Sequence, residues 1–454
     1  MQKAKLQVIL FLLCVFFGFL GFAKISFAQK ATVGAYYFEG WTTPGHPYHL
    51  TTRLMNNFTE RMPLWGWHDD TVEIMEQQIN LAANHGISFF AFDWYWKDDG
   101  GPINAPAIES EPINQGLQLY LQASNKDRLK FCLMIANHRG FTITGTSAWK
   151  QGADYWMKYF KDPQYLKVEG KPLLMIFSPS AGDAAAFQYL QQLAQENGLP
   201  GIVLVDLGFL TYETSPLYNY YQVTGYYNNA PGWKKGSVAK DYTTLAPKLG
   251  KSGDLRPTIP LVYSGVDYRP WHDDSWYYSI NHTAQIFTNK LQQVITWMDN
   301  NPERVTAERI FMIFAWNEIG EGGYLMPTLG DPDGEWLDAV KSVVLGGSSD
   351  ITAPSIPTNI SAIAVSSSQI NLSWTASTDD VGVTGYRVES CSGSLCTNFD
   401  QIGTPTGTTF SYTSLSANTS YRYRIRATDA AGNFSGYSAI ASATTQIDIG
   451  PVGY

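Results

Sequence analysis

Residues 71–95 read TVEIMEQQINLAANHGISFFAFDWY, and the fold is decided there. From Thr71 to His85 apolar residues recur at three-to-four spacing, the period of a helix with one buried face. From Ile87 to Tyr95 a short Phe-rich run follows, which reads as a strand. The same alternation extends in both directions. Strands are expected at Val33–Glu39, Ile87–Tyr95, Leu129–Ala136, Leu173–Ser178, Ile202–Asp206, Val223–Tyr227, Thr258–Ser264 and Ile310–Trp316. Helices are expected at Thr71–His85, Asn114–Ser124, Trp149–Phe160, Asp183–Asn197 and His282–Asn300. Eight such units within residues 31–345 predict a (β/α)8 TIM-type barrel in preference to an open doubly wound sheet.

Beyond Leu345 the composition changes. Residues 346–353 open with Gly-Gly-Ser-Ser-Asp and read as a linker, stiffened afterwards by Pro354 and Pro357. Residues 354–446 then alternate with period two, as in Ile370-Asn-Leu-Ser-Trp374 and Tyr421-Arg-Tyr-Arg-Ile-Arg426, which predicts an all-β sandwich. Residues 447–454 form a short tail. The sandwich segment resembles a fibronectin type III domain. Trp374 stands in the place of the core tryptophan, and Leu415-Ser-Ala-Asn-Thr-Ser-Tyr421 resembles the tyrosine corner, with Ala417 replacing a proline. The resemblance implies a spacer with no catalytic role.

The N-terminus combines Lys3 and Lys5 with an apolar run from Leu6 to Ala23 and the small-residue pattern Ser26-Phe27-Ala28. Residues 1–28 are therefore expected to be a signal peptide, which predicts a secreted, periplasmic or cell-surface protein with no further membrane attachment. A formal charge of -9 leaves no basic stripe for a phosphate backbone, so nucleic acid is not expected as a partner. Of the four cysteines, Cys132 sits in an apolar run and reads as a buried hydrophobe, while Cys391 and Cys396 flank Ser-Gly-Ser-Leu and are expected to form a local disulfide. No metal-ligand spacing is present, and neither a metal nor another cofactor is expected.

In such a barrel the active site lies at the C-terminal tips of the strands. Those tips carry Tyr36, Tyr37, Asp93, Trp94, Asn137, His138 and Tyr227, then Asp267 and Arg269 after the seventh strand. Tyr36, Tyr37, Trp94 and Tyr227 read either as sugar-binding walls or as core, and His138 beside Asn137 as a polar contact. Asp93 reads as a partner of sugar hydroxyls or of Arg139. Asp267 and Arg269 read as holding a hydroxyl-rich or anionic sugar or as a rim salt bridge. The eighth strand ends Trp316-Asn-Glu-Ile-Gly-Glu-Gly322. Two carboxylates three residues apart, Glu318 and Glu321, suit glycosyl transfer, where one group assists the leaving oxygen and the other supports attack at the anomeric carbon.

That segment resembles the Trp-Asn-Glu-x-x-Glu-Gly signature of glycoside hydrolase family 99 and its WbsX-like relatives, whose best-known members are endo-α-mannosidases. Val33-Gly-Ala-Tyr-Tyr-Phe38, Arg61-Met-Pro-Leu-Trp-Gly-Trp67 and the run His85 to Trp96 fit the same group. The resemblance implies a retaining glycosidase acting on an α-linked, manno-configured glycan through a 1,2-anhydro sugar. Glu318 would be the base that takes the 2-hydroxyl proton and Glu321 the general acid, with Trp316 and Asn317 orienting them. The chain departs from the group at Ile319-Gly320, where relatives carry an aromatic residue or histidine. A non-catalytic glycan-binding protein and a polysaccharide-assembly, glycosyltransferase-like protein are the rival readings. The oligomeric state has no signature.

Overall fold

The computed structural model describes residues 29–41, 49–138, 140–178, 183–207, 217–227, 240–250, 253–346, 352–379, 382–429 and 433–448. The expected signal peptide, Arg139, most of the linker and the end of the tail lie outside these residues.

The first domain is built on parallel strands β1 (Thr32–Tyr37), β2 (Phe89–Trp94), β3 (Lys130–Ala136), β4 (Lys171–Phe177), β5 (Val203–Asp206), β6 (Val223–Thr224), β7 (Leu261–Tyr263) and β8 (Ile310–Phe314). Their order in the sheet is β6-β5-β4-β3-β2-β1-β8-β7. The two outer edges meet: Thr224 forms a parallel bridge with Thr258, just before β7, and Ile259 N–H donates to the Thr224 carbonyl at 2.8 Å. The sheet therefore curls round on itself as a TIM-like barrel, and every position of β2 is buried, as expected when both faces are covered.

Helices α1 (Val72–Asn84), α2 (Gln115–Gln122), α3 (Gly145–Phe160), α4 (Ala184–Glu196), α5 (Ala284–Asn300) and α6 (Glu335–Val344) pack outside the sheet. Their starts are written in the sequence. Thr71, Asp183 and Thr283 each sit just before a helix and accept an N–H of its first turn, satisfying donors that the helix itself leaves unpaired. On α1 the buried side chains are Ile74, Met75, Gln78, Ile79 and Ala82, the stripe implied by the three-to-four spacing. Cys132 is buried in β3. Among the described residues no α-helix lies between β5 and β7, where short 3-10 turns stand instead.

The second domain is an antiparallel sandwich. Strands β9 (Thr358–Ala364), β10 (Ile370–Thr375) and β13 (Thr409–Tyr412) form one sheet, and β11 (Val383–Ser392), β12 (Asp400–Gly403), β14 (Ser420–Asp429) and β15 (Ala441–Thr444) form the other. Trp374 packs edge-on to Tyr386 in the core, and the Tyr421 hydroxyl accepts the Ser416 N–H at 3.1 Å, closing the tyrosine corner. Cys391 and Cys396 are joined by a disulfide bond. No described helix is long and apolar enough to cross a membrane.

Candidate active site

Chain geometry beyond β8 places the two glutamates. Asn317–Glu318 pairs antiparallel with Gly323–Tyr324, and the 3-10 turn Ile319–Glu321 bridges them. Gly322 closes the turn in the left-handed region, φ 75°, with the main chain of Asp267 so near that a side chain has no room. Glu318 is buried and Glu321 partly exposed on this one turn.

A bracket of charges holds the turn from below. Arg61 donates to the Ile319 carbonyl at 3.0 Å and pairs with Asp267. Asp267 N–H donates to the Glu321 carbonyl at 2.5 Å, and Arg269 donates to both carboxylate oxygens of Asp267 at 2.9 and 2.7 Å. Asp267 and Arg269 thus form the salt bridge of the two expected readings, and their partners are protein groups. Arg61, whose role the sequence alone does not disclose, completes it. From above, the indole of Trp271 lies against Gly320, occupying the space a side chain at that position would need. Trp271 continues through His49, at 5.2 Å between ring centroids, to Phe38 and Trp41. An aromatic ring therefore stands beside the turn, supplied by another loop.

Facing the turn is a third carboxylate. Asp93, at the end of β2, is buried and accepts hydroxyl hydrogen bonds from Tyr227 at 2.9 Å and Tyr95 at 3.4 Å through one oxygen. Tyr36 packs edge-on to Tyr227 at 4.8 Å and donates its hydroxyl to the Tyr226 carbonyl at 2.7 Å. Burial, then the charges of Glu321 and Asp93, pushes the Glu318 carboxyl well above the usual 4.5. Asp93 is raised likewise, by burial first, with the Glu321 charge adding to it and the two tyrosine hydroxyls opposing it. Glu318 Oε1 and Asp93 Oδ1 are buried without a hydrogen-bond partner among the described residues.

Other expected residues fall elsewhere. Side chains alternate across a strand, so the neighbours of Tyr36 and Asp93 point to the helix layer. Tyr37 packs on Phe90 and Phe92, and Trp94 packs on Tyr155 and Trp156 of α3; these contacts are those of the core reading of the two, and not of the site-wall reading. Trp316 is also internal: its indole N–H donates to Gln78 of α1 at 2.7 Å, and its ring packs on Phe90. Asn317 accepts the Phe38 N–H at 2.8 Å and donates to the Phe38 carbonyl at 2.6 Å, tying β8 to the tip of β1. Asn137 accepts the Ile143 N–H at 2.9 Å and holds the loop after β3. Trp316, Asn317 and Asn137 thus support the rim. His138 lies nearer the site, edge-on to Tyr95 and Phe177. Glu39, another acid on the rim, receives the N–H groups of Gly116 at 2.6 Å and Leu117 at 3.0 Å and so caps α2. Among the described residues no group of three or more His, Cys, Asp or Glu side chains is arranged to hold a metal ion.

A family model described as "Glycosyltransferase WbsX" matches residues 65–340, and one described as "Fibronectin type III domain" matches residues 355–444. Chitinase A1 of Niallia circulans is 48% identical over 96 residues, 21% of this chain and 13% of that protein. Alpha-amylase of the same organism is 44% identical over 96 residues, 21% of this chain and 7% of that protein. An uncharacterized protein, WxcX, of Xanthomonas campestris is 25% identical over 333 residues, 65% of this chain and 44% of that protein. The chain spans less than half the length of each of these relatives.

Proposed function

The chain belongs to the Glycosyltransferase WbsX family, and from that premise we propose that it is an exported glycoside hydrolase cleaving an α-linked, manno-configured polysaccharide or glycan with retention. The proposed division is a signal peptide at 1–28, a catalytic barrel at 31–345, a linker at 346–353, a fibronectin type III domain at 354–446 and a tail at 447–454. One observation carries the proposal: Glu318 and Glu321 share a braced turn at the end of β8, opposite Asp93 and its tyrosines.

The reaction assigns each acid a task. Ionised Glu318 takes the proton of the sugar 2-hydroxyl, whose oxygen attacks C1. The glycosidic C1–O bond breaks as Glu321 gives its proton to the leaving oxygen. A 1,2-anhydro sugar results. Glu321, now a carboxylate, takes a proton from water, the water oxygen attacks C1, the bond from C1 to O2 opens, and Glu318 returns its proton to O2. A raised pKa makes Glu318 the stronger base once ionised, which suits removal of a weakly acidic hydroxyl proton. Burial and the Glu321 charge raise that value first and the Asp93 charge adds to it; Asp93, with Tyr227, Tyr36 and His138, offers hydrogen-bonding groups and ring faces to the sugar.

The test is the purified chain on α-mannans and other α-glycans, with the anomer of the first product read by proton NMR. Release of α-product from α-mannan, and none from a substrate whose reacting 2-hydroxyl is replaced by hydrogen, is expected. Cleavage of the 2-deoxy substrate at an equal rate removes the mechanism. The family's description favours a second reading, transfer during polysaccharide assembly; it requires turnover of an activated sugar donor, which the same assay with nucleotide sugars measures.

A further inference from the structure

The sandwich carries a column of arginines and rings on the face shared by β11 and β14. Arg424 lies over Tyr437 at 3.8 Å, Arg426 over Phe434 at 4.2 Å and Arg387 over Phe434 at 4.7 Å, contacts that hold the guanidinium planes in place. Strand register sets Glu389 opposite Arg424, and the two form an ion pair at 2.6 Å. The neighbouring rung differs. There Arg387 stands opposite Arg426, both side chains largely covered, at 15% and 19% exposure. Like charges directly opposite one another on adjacent strands repel, and an anion between them relieves the repulsion.

That anion comes from the other domain. Asp333, just before α6 of the barrel, pairs with Arg426 at 3.0 Å and with Arg387. Beside this contact runs a groove of about 280 Å³, with Asp338 and Lys341 on the barrel side and Thr384 and Thr428 on the sandwich side. Asp333 ends the same loop that begins with Glu318 and Glu321. Midway, the loop is stitched to residues 60–64: Leu329 N–H donates to the Met62 carbonyl at 2.9 Å and Gly330 N–H to the Glu60 carbonyl at 2.6 Å.

We propose that the fibronectin type III domain is a docked brace of the barrel and not a swinging spacer: the facing pair Arg387 and Arg426 locks onto Asp333 and fixes the far end of the loop that carries the two glutamates. The clamp holds whatever reaction the barrel performs.

The full chain tests it without any activity assay. Small-angle scattering gives the spread of domain arrangements, and subtilisin digestion gives the rate of cleavage within residues 346–353. Wild type is expected to scatter as one compact arrangement and to resist cleavage. Asp333→Ala is expected to broaden the distance distribution and to speed linker cleavage about tenfold, equivalent to about 1.4 kcal/mol of lost coupling. Asp338→Ala, which removes an acid paired with His85 instead, is expected to change neither. Asp333→Asn, equal in size, replaces the alanine variant if that one fails to fold. Combining Asp333→Ala with Arg387→Ala and Arg426→Ala should add nothing further. Identical scattering and cleavage for wild type and the Asp333 variants, or strictly additive effects, overturns the proposal.

Discussion

The main-chain N–H of Asp267 donates to the carbonyl of Glu321 at 2.5 Å, while its carboxylate is held by Arg61 and Arg269. One residue thus connects a buried charge cluster to the turn bearing both candidate acids. Asp267→Asn keeps the backbone bond but weakens the hold of Arg61, and Arg61→Ala also frees the Ile319 carbonyl. Both variants are expected to lower kcat on the substrate by about 100-fold with KM changed far less, the scale that a misplacement of about 1 Å can cost. Steady-state kinetics reads the split. Arg61→Lys, which lacks the fork geometry, is expected to rescue only in part.

Gly320 is small because Trp271 stands beside it. Gly320→Ala is expected to destabilise the chain by about 1–3 kcal/mol, the range for overpacking a filled site. In the double variant with Trp271→Ala the added methyl has room, so its cost should shrink when measured against Trp271→Ala alone. Urea unfolding of the four proteins gives the coupling.

Glu318 as base must be ionised, and its carboxyl is held above the usual 4.5. Activity should therefore fall as pH drops through a value higher than that of an ordinary glutamate. Asp93→Asn removes one of the charges that raise it, so the acid limb of kcat/KM is expected to move to lower pH. A limb that stays in place contradicts the assigned coupling.

Asp69 is buried and raised to about 7 from 3.8. A carboxyl raised on folding favours the folded state below its unfolded value, and that contribution is lost as pH rises through the folded value. Stability should decline between about pH 4 and pH 7, and Asp69→Asn should flatten the decline. A Tm difference on the order of 5 °C between pH 5 and pH 8, smaller in the variant, is expected by calorimetry.

The barrel was legible because apolar strands follow amphipathic stretches along most of it, and Thr71, Asp183 and Thr283 mark three of the helix starts without tertiary help; between β5 and β7 the contrast fails, since short 3-10 turns stand there among the described residues. The glutamate turn was legible because Glu318 and Glu321 directly follow the eighth apolar run. Strand tips were harder. Tyr36 and Tyr37, or Asp93 and Trp94, are adjacent and similar in kind, and only the phase of the alternation, set by the barrel, separates cavity side from helix side. Contacts distant in sequence, such as Arg61 with Asp267 or Asp333 with Arg426, left no local mark. Arg61 lay within a segment already resembling the family, which pointed to its region and not to its role.

The central claim is that Glu318 and Glu321 act as a pair on one sugar. The most direct measurement is turnover of α-mannan by folded wild type, Glu318→Gln and Glu321→Gln. The account predicts turnover by wild type and a loss of at least about 100-fold in each variant with the thermal transition preserved, the scale expected when a general acid or base is removed. Undiminished turnover in either variant contradicts it.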